Sequence, residues 1–585
     1  MTRGLVVLTA ALVALLASGR AAAATITVNC AHQNLQNKIN NAAPGSTLKI
    51  RNTCLGQFTV AKNVKLVGDP TATLDGDDAG STLTVNGGPV VLSHLKITGG
   101  LLTGAIADGG GIVHSGGALT LRHVTVAGNR LLTTSIATGG GIFSNGGSLA
   151  VLDSVIEKNL VKQTTGGSAV VAAGGIYRSG DVKIVDSTIR GNRAVAFPTG
   201  TNGSAQGGGV FLTSSTAIVE HSTFTGNLAR VSSTGGPVTA EGGGLYLDTA
   251  SPIDLEDSKL EANRAAAETG GTEATARGGG IYAEFSGGAI ERTKFLGNTT
   301  HSDSAGDGTA TGGGGLLHSG LEFGLDHVRV SSNSADSHGD SGSADAAGGG
   351  LAIEGLALVK ASTFDANTAD APEGGIRSAT GGGLDIDSGG LRMTTSTVSR
   401  NQASAPGGQA LGGGIRVDGT ATSSVKNSTV AANRATGNTA RGGGIDSFVS
   451  SLSVVNGTIA GNSAKLGGGL YRETNSLSLE ATILATNSAP TGPACAGSPT
   501  SAGHNLIGNL FGCGFAPLAS DIVGKGAKLG SLGKHGGPTE TISLLSSSPA
   551  INAIPSAQCA VAKDQRGVKR PQGPRCDIGA FEVRR

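Results

Sequence analysis

Between residues 109 and 487 one pattern of apolar and polar positions recurs twelve times. A glycine run is followed by an aliphatic residue, an alternating stretch, and an asparagine 17 to 19 positions after the last glycine. The residue after the run is Ile112, Ile142, Ile176, Val210, Leu245, Ile281, Leu316, Leu351, Leu384, Ile415, Ile445 or Leu470. Three before the asparagine stands another apolar residue, from Val126 and Ile156 in the first repeats to Ile459 and Leu484 in the last. The residues between alternate at period two, as in ALTLRHVTV (118–126), which is the signature of short strands with one buried face. The segment from each asparagine to the next glycine run varies in length. A constant core with one variable segment per repeat predicts a solenoid whose insertions project on one side.

Short strands, glycine bends and one turn per repeat give an all-β fold, a parallel β-helix. At ~4.8 Å per coil, twelve coils form a rod of roughly 55–60 Å. The asparagines, Asn129 to Asn487, are expected to stack at a bend, where Asn tolerates left-handed backbone angles and its amide can ladder along the axis. Residues 59–98 read as further coils without the glycine signature. Leu35 and Ile39, at i and i+4 within residues 32–43, predict a short amphipathic helix closing the N-terminal end. The chain therefore divides into a leader (1–24), an N-terminal cap (25–58), the repeats (59–487) and a C-terminal region (488–585).

Composition narrows the class. Hydrophobic residues make up 38% and aromatics 3%, with no tryptophan, which suits a thin column of aliphatics better than a broad core. The 99 glycines fall in runs rather than every third position, which excludes collagen. Arg3, the apolar stretch LVVLTAALVALLA and Ala22–Ala24 read as a secretory leader. Without Arg3 and Arg20, 41 basic residues face 42 acidic ones, so no nucleic-acid partner is implied. No later segment is long and apolar enough to span a membrane, and a secreted, monomeric chain is expected. Six cysteines fall into three local neighbourhoods, Cys30 with Cys54, Cys495 with Cys513, and Cys559 with Cys576, all outside the repeats. In an exported chain these are disulfide candidates, formally one of fifteen pairings.

The repeats resemble right-handed parallel β-helix proteins, including the glycine and FxxN repeats of polymorphic outer-membrane proteins; FTGN (224–227), FLGN (295–298) and FDAN (364–367) carry that likeness, which implies a right-handed, pectin-lyase-like solenoid. The runs LGSLGKHGGPTETISLL (529–545), SPAINA (548–553), DQRGVKRPQG (564–573) and CDIGAFE (576–582) resemble the choice-of-anchor Q domain of bacterial exported proteins. That resemblance implies a surface-associated or secreted protein without an established activity. Only Val583, Arg584 and Arg585 follow, where such proteins usually carry an anchor, so release is expected over retention. Asp564, Arg566, Arg570 and Asp577 of these runs are expected to form internal salt bridges.

Chemistry is sought on the strand after each glycine run, whose second and fourth residues are expected to face outward. The second position holds Tyr177, Tyr246, Tyr282 and Tyr471 with Phe143 and Phe211; the fourth holds Asp248, Glu284, Glu354, Asp387, Asp418 and Glu473. Aromatic faces stack on sugars and rows of acids hold Ca2+, so Tyr246, Tyr282, Glu284, Glu354, Asp387 and Asp418 are the ligand-binding candidates. No cofactor is required on this reading, with Ca2+ as the cation that such a row takes. Arg416 sits in the second column between Asp385 and Asp446. His301, Asp303, Asp336, His338 and Asp340 occupy two neighbouring variable segments at similar offsets and are the metal candidates. The motifs of polygalacturonases and pectate lyases are absent, and catalytic residues are not assigned. The reading is a structural and binding protein, adhesin-like, toward glycans or cell surfaces; the alternative is a polysaccharide lyase or glycoside hydrolase on the same fold.

Overall fold

The computed structural model describes residues 23–164, 166–213, 216–248, 253–285, 288–319, 322–472 and 476–584. The leader, up to residue 22, lies outside them. The fold is the expected parallel β-helix. One coil shows the plan: strands Leu245–Asp248, Ile253–Glu256 and Lys259–Glu261 wrap the core in succession. Each pairs in parallel with its counterpart in the next coil, Leu245 with Ile281, Leu255 with Ile290 and Leu260 with Phe295. Their inward residues Leu245, Leu247, Ile253, Leu255 and Leu260 are at most 4% exposed, so each coil adds one aliphatic layer to a dry column.

The variable segments do project on one side, but they are ordered. After Asn263 the chain runs out along Arg264–Thr269 and back along Glu273–Arg277. Such excursions pair coil upon coil into a second parallel sheet. Between the outgoing and returning strands lie small residues such as Ala265, Ala267, Ala274 and Ala276, all fully buried. Further along, Ala344, Ala346, Ala369, Ala371, Ala403 and Ala410 do the same. Small side chains, mostly alanine with some valine, let the two strands of an excursion pack together, so each closes into a thin flap.

The asparagines form the ladder. Each is 0–1% exposed from Asn129 to Asn462. Asn263 is typical: its Nδ2 donates to Asn298 Oδ1 at 2.9 Å and to the Phe224 carbonyl at 2.9 Å. Its Oδ1 accepts from the backbone N–H and Nδ2 of Asn227 at 3.1 and 2.9 Å. The same links run unbroken from Asn129 to Asn487. The left-handed backbone angle sits one residue earlier than expected, at Gly226, Ala262, Gly297, Ser332 and their equivalents. Asn itself stays out of that region because its side chain must point inward along the axis. Five residues before most of these asparagines stands a second ladder of hydroxyls. Ser187 N–H donates to Ser222 Oγ, Ser222 N–H to Ser258 Oγ and Ser258 N–H to Thr293 Oγ1, at 3.0–3.2 Å.

One repeat shifts register. Gly315, the fourth glycine of its run, pairs with Ile281 and Leu351 and so occupies the inward aliphatic position. Leu316 therefore pairs with Tyr282, not with Ile281. The neighbouring Ile281 and Leu351 side chains fill the space that Gly315 leaves.

At the N-terminus the helix Leu35–Asn41 buries Leu35 and Ile39 against the first coil. Asn34 caps it, its Oδ1 accepting from Asn37 N–H at 2.9 Å. The three disulfides are Cys30–Cys54, Cys495–Cys513 and Cys559–Cys576, with no free cysteine. Parallel pairing continues past residue 487 to Ile522–Val523, so the helix ends later than the sequence boundary.

The chain beyond turns back along the outside of the rod. Thr429 Oγ1 donates to Gln565 Oε1 at 2.6 Å, Gln565 Nε2 donates to Thr397 Oγ1 at 2.9 Å, and Ala580 N–H donates to Thr458 Oγ1 at 3.0 Å. This segment is a side brace over the outer faces of Thr397–Ser399, Thr429–Ala431 and Thr458–Ala460, which explains why those strands are buried on both faces. Its charges pair internally, as expected. Arg566 meets Asp564 at 2.7 Å, and Arg570 meets Glu582 at 3.0 Å and the Asp577 carbonyl at 2.6 Å.

Asn298→Ala removes the acceptor of the Asn263 backbone N–H and Nδ2 and the side-chain donor to the Leu260 carbonyl in a dry bend. At about 1–3 kcal/mol per unsatisfied group, a loss of roughly 3 kcal/mol or more is expected in chemical denaturation. Asn298→Asp, which cannot donate to Asn333 Oδ1, is expected to lose at least as much. Arg570→Met leaves Glu582 buried and unpaired and is expected to cost about 3–5 kcal/mol. A loss within about 0.5 kcal/mol for either site would contradict these assignments.

Candidate functional site

The glycine run produces a re-entrant corner. Gly242 has φ +60°, and a Cβ on Gly243 or Gly244 would lie 2.4 or 2.6 Å from the carbonyl oxygen of the glycine one coil on. Successive coils thus pass backbone against backbone, which only glycine permits. The bend folds the returning flap strand (Val238–Glu241) back toward the next strand (Leu245–Asp248). Contacts cross the corner: Gln206 Nε2 donates to Tyr246 Oη at 3.3 Å, Thr380 Oγ1 donates to Asp385 Oδ2 at 2.7 Å, and the Arg441 guanidinium lies 4.7 Å from the Tyr471 ring centre. The result is a corner that repeats from coil to coil along the rod.

Its floor is the second-position column. Phe143, Tyr177, Phe211, Tyr246 and Tyr282 stack in sequence, centroids 4.6–5.3 Å apart and planes within 11–13°. The expectation that Tyr246 and Tyr282 offer open ring faces fails, because each is only 6% exposed. The ordered flap covers them from one side, Phe211 and Tyr282 flank Tyr246, and Tyr246 and Leu316 flank Tyr282. Burial first, and then the carboxylates of Glu241 and Glu284, push both phenols far above their ordinary pKa. Tyr282 Oη donates to Glu284 Oε1 at 2.6 Å.

The rim is the fourth-position row. Asp248, Glu284 and Asp387 are exposed, and Glu354 and Asp418 half-buried. Backbone register sets Asp248 beside Glu284, then His318, Glu354 and Asp387 on consecutive coils, while Asp418 pairs with Phe448. Glu473 lies outside the described residues. Beyond the aromatic column the floor turns ionic, with Arg416 between Asp385 and Asp446 in register. Arg416 reaches Asp385 at 3.4 Å and also bonds Asp418. Burial raises the Asp385 carboxyl above its usual pKa, opposed by Arg416 and Thr380. Burial works against the Arg416 charge, but the surrounding aspartates outweigh it and raise its pKa.

On the flap's outer face, His301, Asp336 and His338 come together. Their candidate ligand atoms all lie within 4.8 Å of one another. Asp303 and Asp340 stand outside that trio, both exposed. Sequence reasoning passed over Arg178, which is 1% exposed in the helix core. It bonds Ser144 Oγ and the carbonyls of Gly146, Gly147 and Asp181, and Ser144 in turn bonds His114. Its third-position place, two after Ile176, already marked it as inward-facing.

A right-handed beta helix region family matches residues 109–335. No curated protein matches the chain. Among solved structures, a mannuronic acid specific polysaccharide family 6 lyase from human gut microbiota aligns over 74% of this chain and 86% of its own, at 8% identity and TM-score 0.27. The family match and the described strands agree on the fold. Among the described residues no helix is long and apolar enough to cross a membrane.

Tyr246→Ala opens a cavity inside the stack and is expected to cost about 3–5 kcal/mol, as for other buried aromatics. Since the folded phenols of Tyr246 and Tyr282 keep their protons beyond the unfolded value of about 10, stability is untouched below that pH and falls as pH rises above it. Ultraviolet titration of tyrosinate checks this. Ionisation of all four tyrosines near pH 10 in the folded state would contradict it.

Proposed function

We propose that the chain is an exported, monomeric β-helix rod that serves as a structural and binding protein toward glycans at or beyond the cell surface. The acidic rim of the corner is its contact surface, with Ca2+ held between neighbouring coils. The observation that carries the reading is the rim itself. Carboxylates recur on consecutive coils at Glu354 and Asp387 and at Asp248 and Glu284, where the fold demands none. Like charges facing each other across paired strands destabilise a sheet, whereas a shared cation relieves that repulsion and leaves coordination positions for sugar hydroxyls. The buried tyrosines leave polar contacts, not ring stacking, as the means of recognition. Three disulfides suit an oxidising compartment, and the choice-of-anchor Q likeness supports export.

A second reading, a polysaccharide lyase or glycoside hydrolase, draws on one observation. Asp385 is 4% exposed in the same corner, its carboxyl raised by burial and set against Arg416. Such a perturbed acid beside a fixed cation is what proton transfer at a sugar ring needs.

Calcium at 100 times its Kd is expected to add about 2.7 kcal/mol of stability, read as a rise in melting temperature. Combining Glu284→Gln, Glu354→Gln, Asp387→Asn and Asp418→Asn should remove that rise and the retention on a polysaccharide matrix. A melting temperature indifferent to calcium and chelator, with retention unchanged in the variant, would overturn the binding reading. Release of sugar products that stops in Asp385→Asn would establish the enzyme instead.

A further inference from the structure

The outgoing strand of one flap, Thr299–Ser304, pairs in parallel with residues 334–339, the outgoing part of the next flap's strand Ser334–Ala347. Their register sets His301 beside Asp336 and Asp303 beside His338. Alternation turns Thr300, Ser302, Ala335 and Ser337 into the flap, all fully buried, and leaves His301, Asp336 and His338 on the outer face. Asp336 lies between the two imidazoles. His301 Nδ1 is 2.9 Å from its Oδ2, and His338 Nε2 is 3.1 Å from its Oδ1. The rings sit 5.6 Å apart, centre to centre, inclined at 60°, so their nitrogens converge on one carboxylate instead of stacking.

We infer that His301, Asp336 and His338 form a binding site for a borderline divalent transition metal such as Zn2+. Two imidazole nitrogens and one carboxylate oxygen are the ligands that such ions favour, and three protein ligands leave a coordination position open. Calcium, which takes six to eight oxygens, is poorly served by this set. The ion occupies the space where the imidazoles now meet the carboxylate. The scaffold is rigid because all three side chains project from paired strands whose inner faces are packed. The surround favours a cation, since Asp303 and Glu373 flank His338 in register on either side and Asp370 stands beside Asp336. This site is remote in kind from the acidic rim, sharing no residue with it, so each stands or falls by itself.

The test is calorimetric titration of the intact, disulfide-bonded protein with ZnCl2 after chelator treatment. One saturable equivalent is expected, unaffected by excess calcium. That equivalent should disappear in the double variant His301→Ala/His338→Ala and persist in Asp340→Asn, which lies outside the trio. On the unaltered protein, zinc should shift two imidazole signals in the NMR spectrum and leave the other histidines in place, which keeps the test independent of how the variants fold. Absence of saturable zinc binding, or binding that survives in a folded double variant, would overturn the site.

Discussion

A β-helix with a core this thin must turn sharply while leaving no backbone group dry and unpaired, and the asparagine ladder meets that demand. Each side chain from Asn159 to Asn462 closes four hydrogen bonds: one to the next asparagine, one to a carbonyl at the previous coil, and two accepted from the asparagine before it. At about 1–3 kcal/mol for each buried group left unsatisfied, a displaced coil would forfeit roughly 4–12 kcal/mol, a loss on the scale of what a whole aliphatic layer supplies. The ladder therefore sets where each coil lies on the last. Every row described above depends on that register: the aliphatic core, the stacked rings, the acidic rim and the histidines on the flap.

The glycine runs set the shape that the ladder holds. Their backbones touch from coil to coil, so the chain reverses within three residues and brings two strand faces into one corner. What fills the corner changes along the rod. Rings fill it from Phe143 to Tyr282, and the ionic set around Arg416 fills it farther on. Both fillings occupy the corner and leave the fourth-position carboxylates at its outer rim.

Much of this is legible in the linear chain. The asparagines, the aliphatic positions, the capping helix at Leu35 and Ile39 and the cysteine neighbourhoods are local patterns, and the fold honours them. The flaps were harder to read because their interior is alanine, as in Ala265, Ala267, Ala274 and Ala276, whose weak hydrophobic contrast hides a period of two. The burial of Tyr246 and Tyr282 follows from that same order, since an open loop would have left their rings free. The brace from Gln565 and Ala580 joins residues more than a hundred positions apart, which no local pattern records. Gly315 shows how register is settled by pairing and not by counting glycines. Among the metal candidates, His301, Asp336 and His338 converge because coil register aligns them, while Asp303 and Asp340 belong to the exposed surround.

Native-state hydrogen exchange on the ladder itself tests this account most directly. The backbone amides of Asn159 through Asn433 each donate to the next asparagine's Oδ1 inside the bend. They should exchange only through global unfolding, as slowly as the amides of core strands, while amides at the flap turns, such as Gly235 and Gly271, exchange through local opening. Ladder amides that exchange as fast as those turns would contradict the claim that the asparagines hold the coils in register.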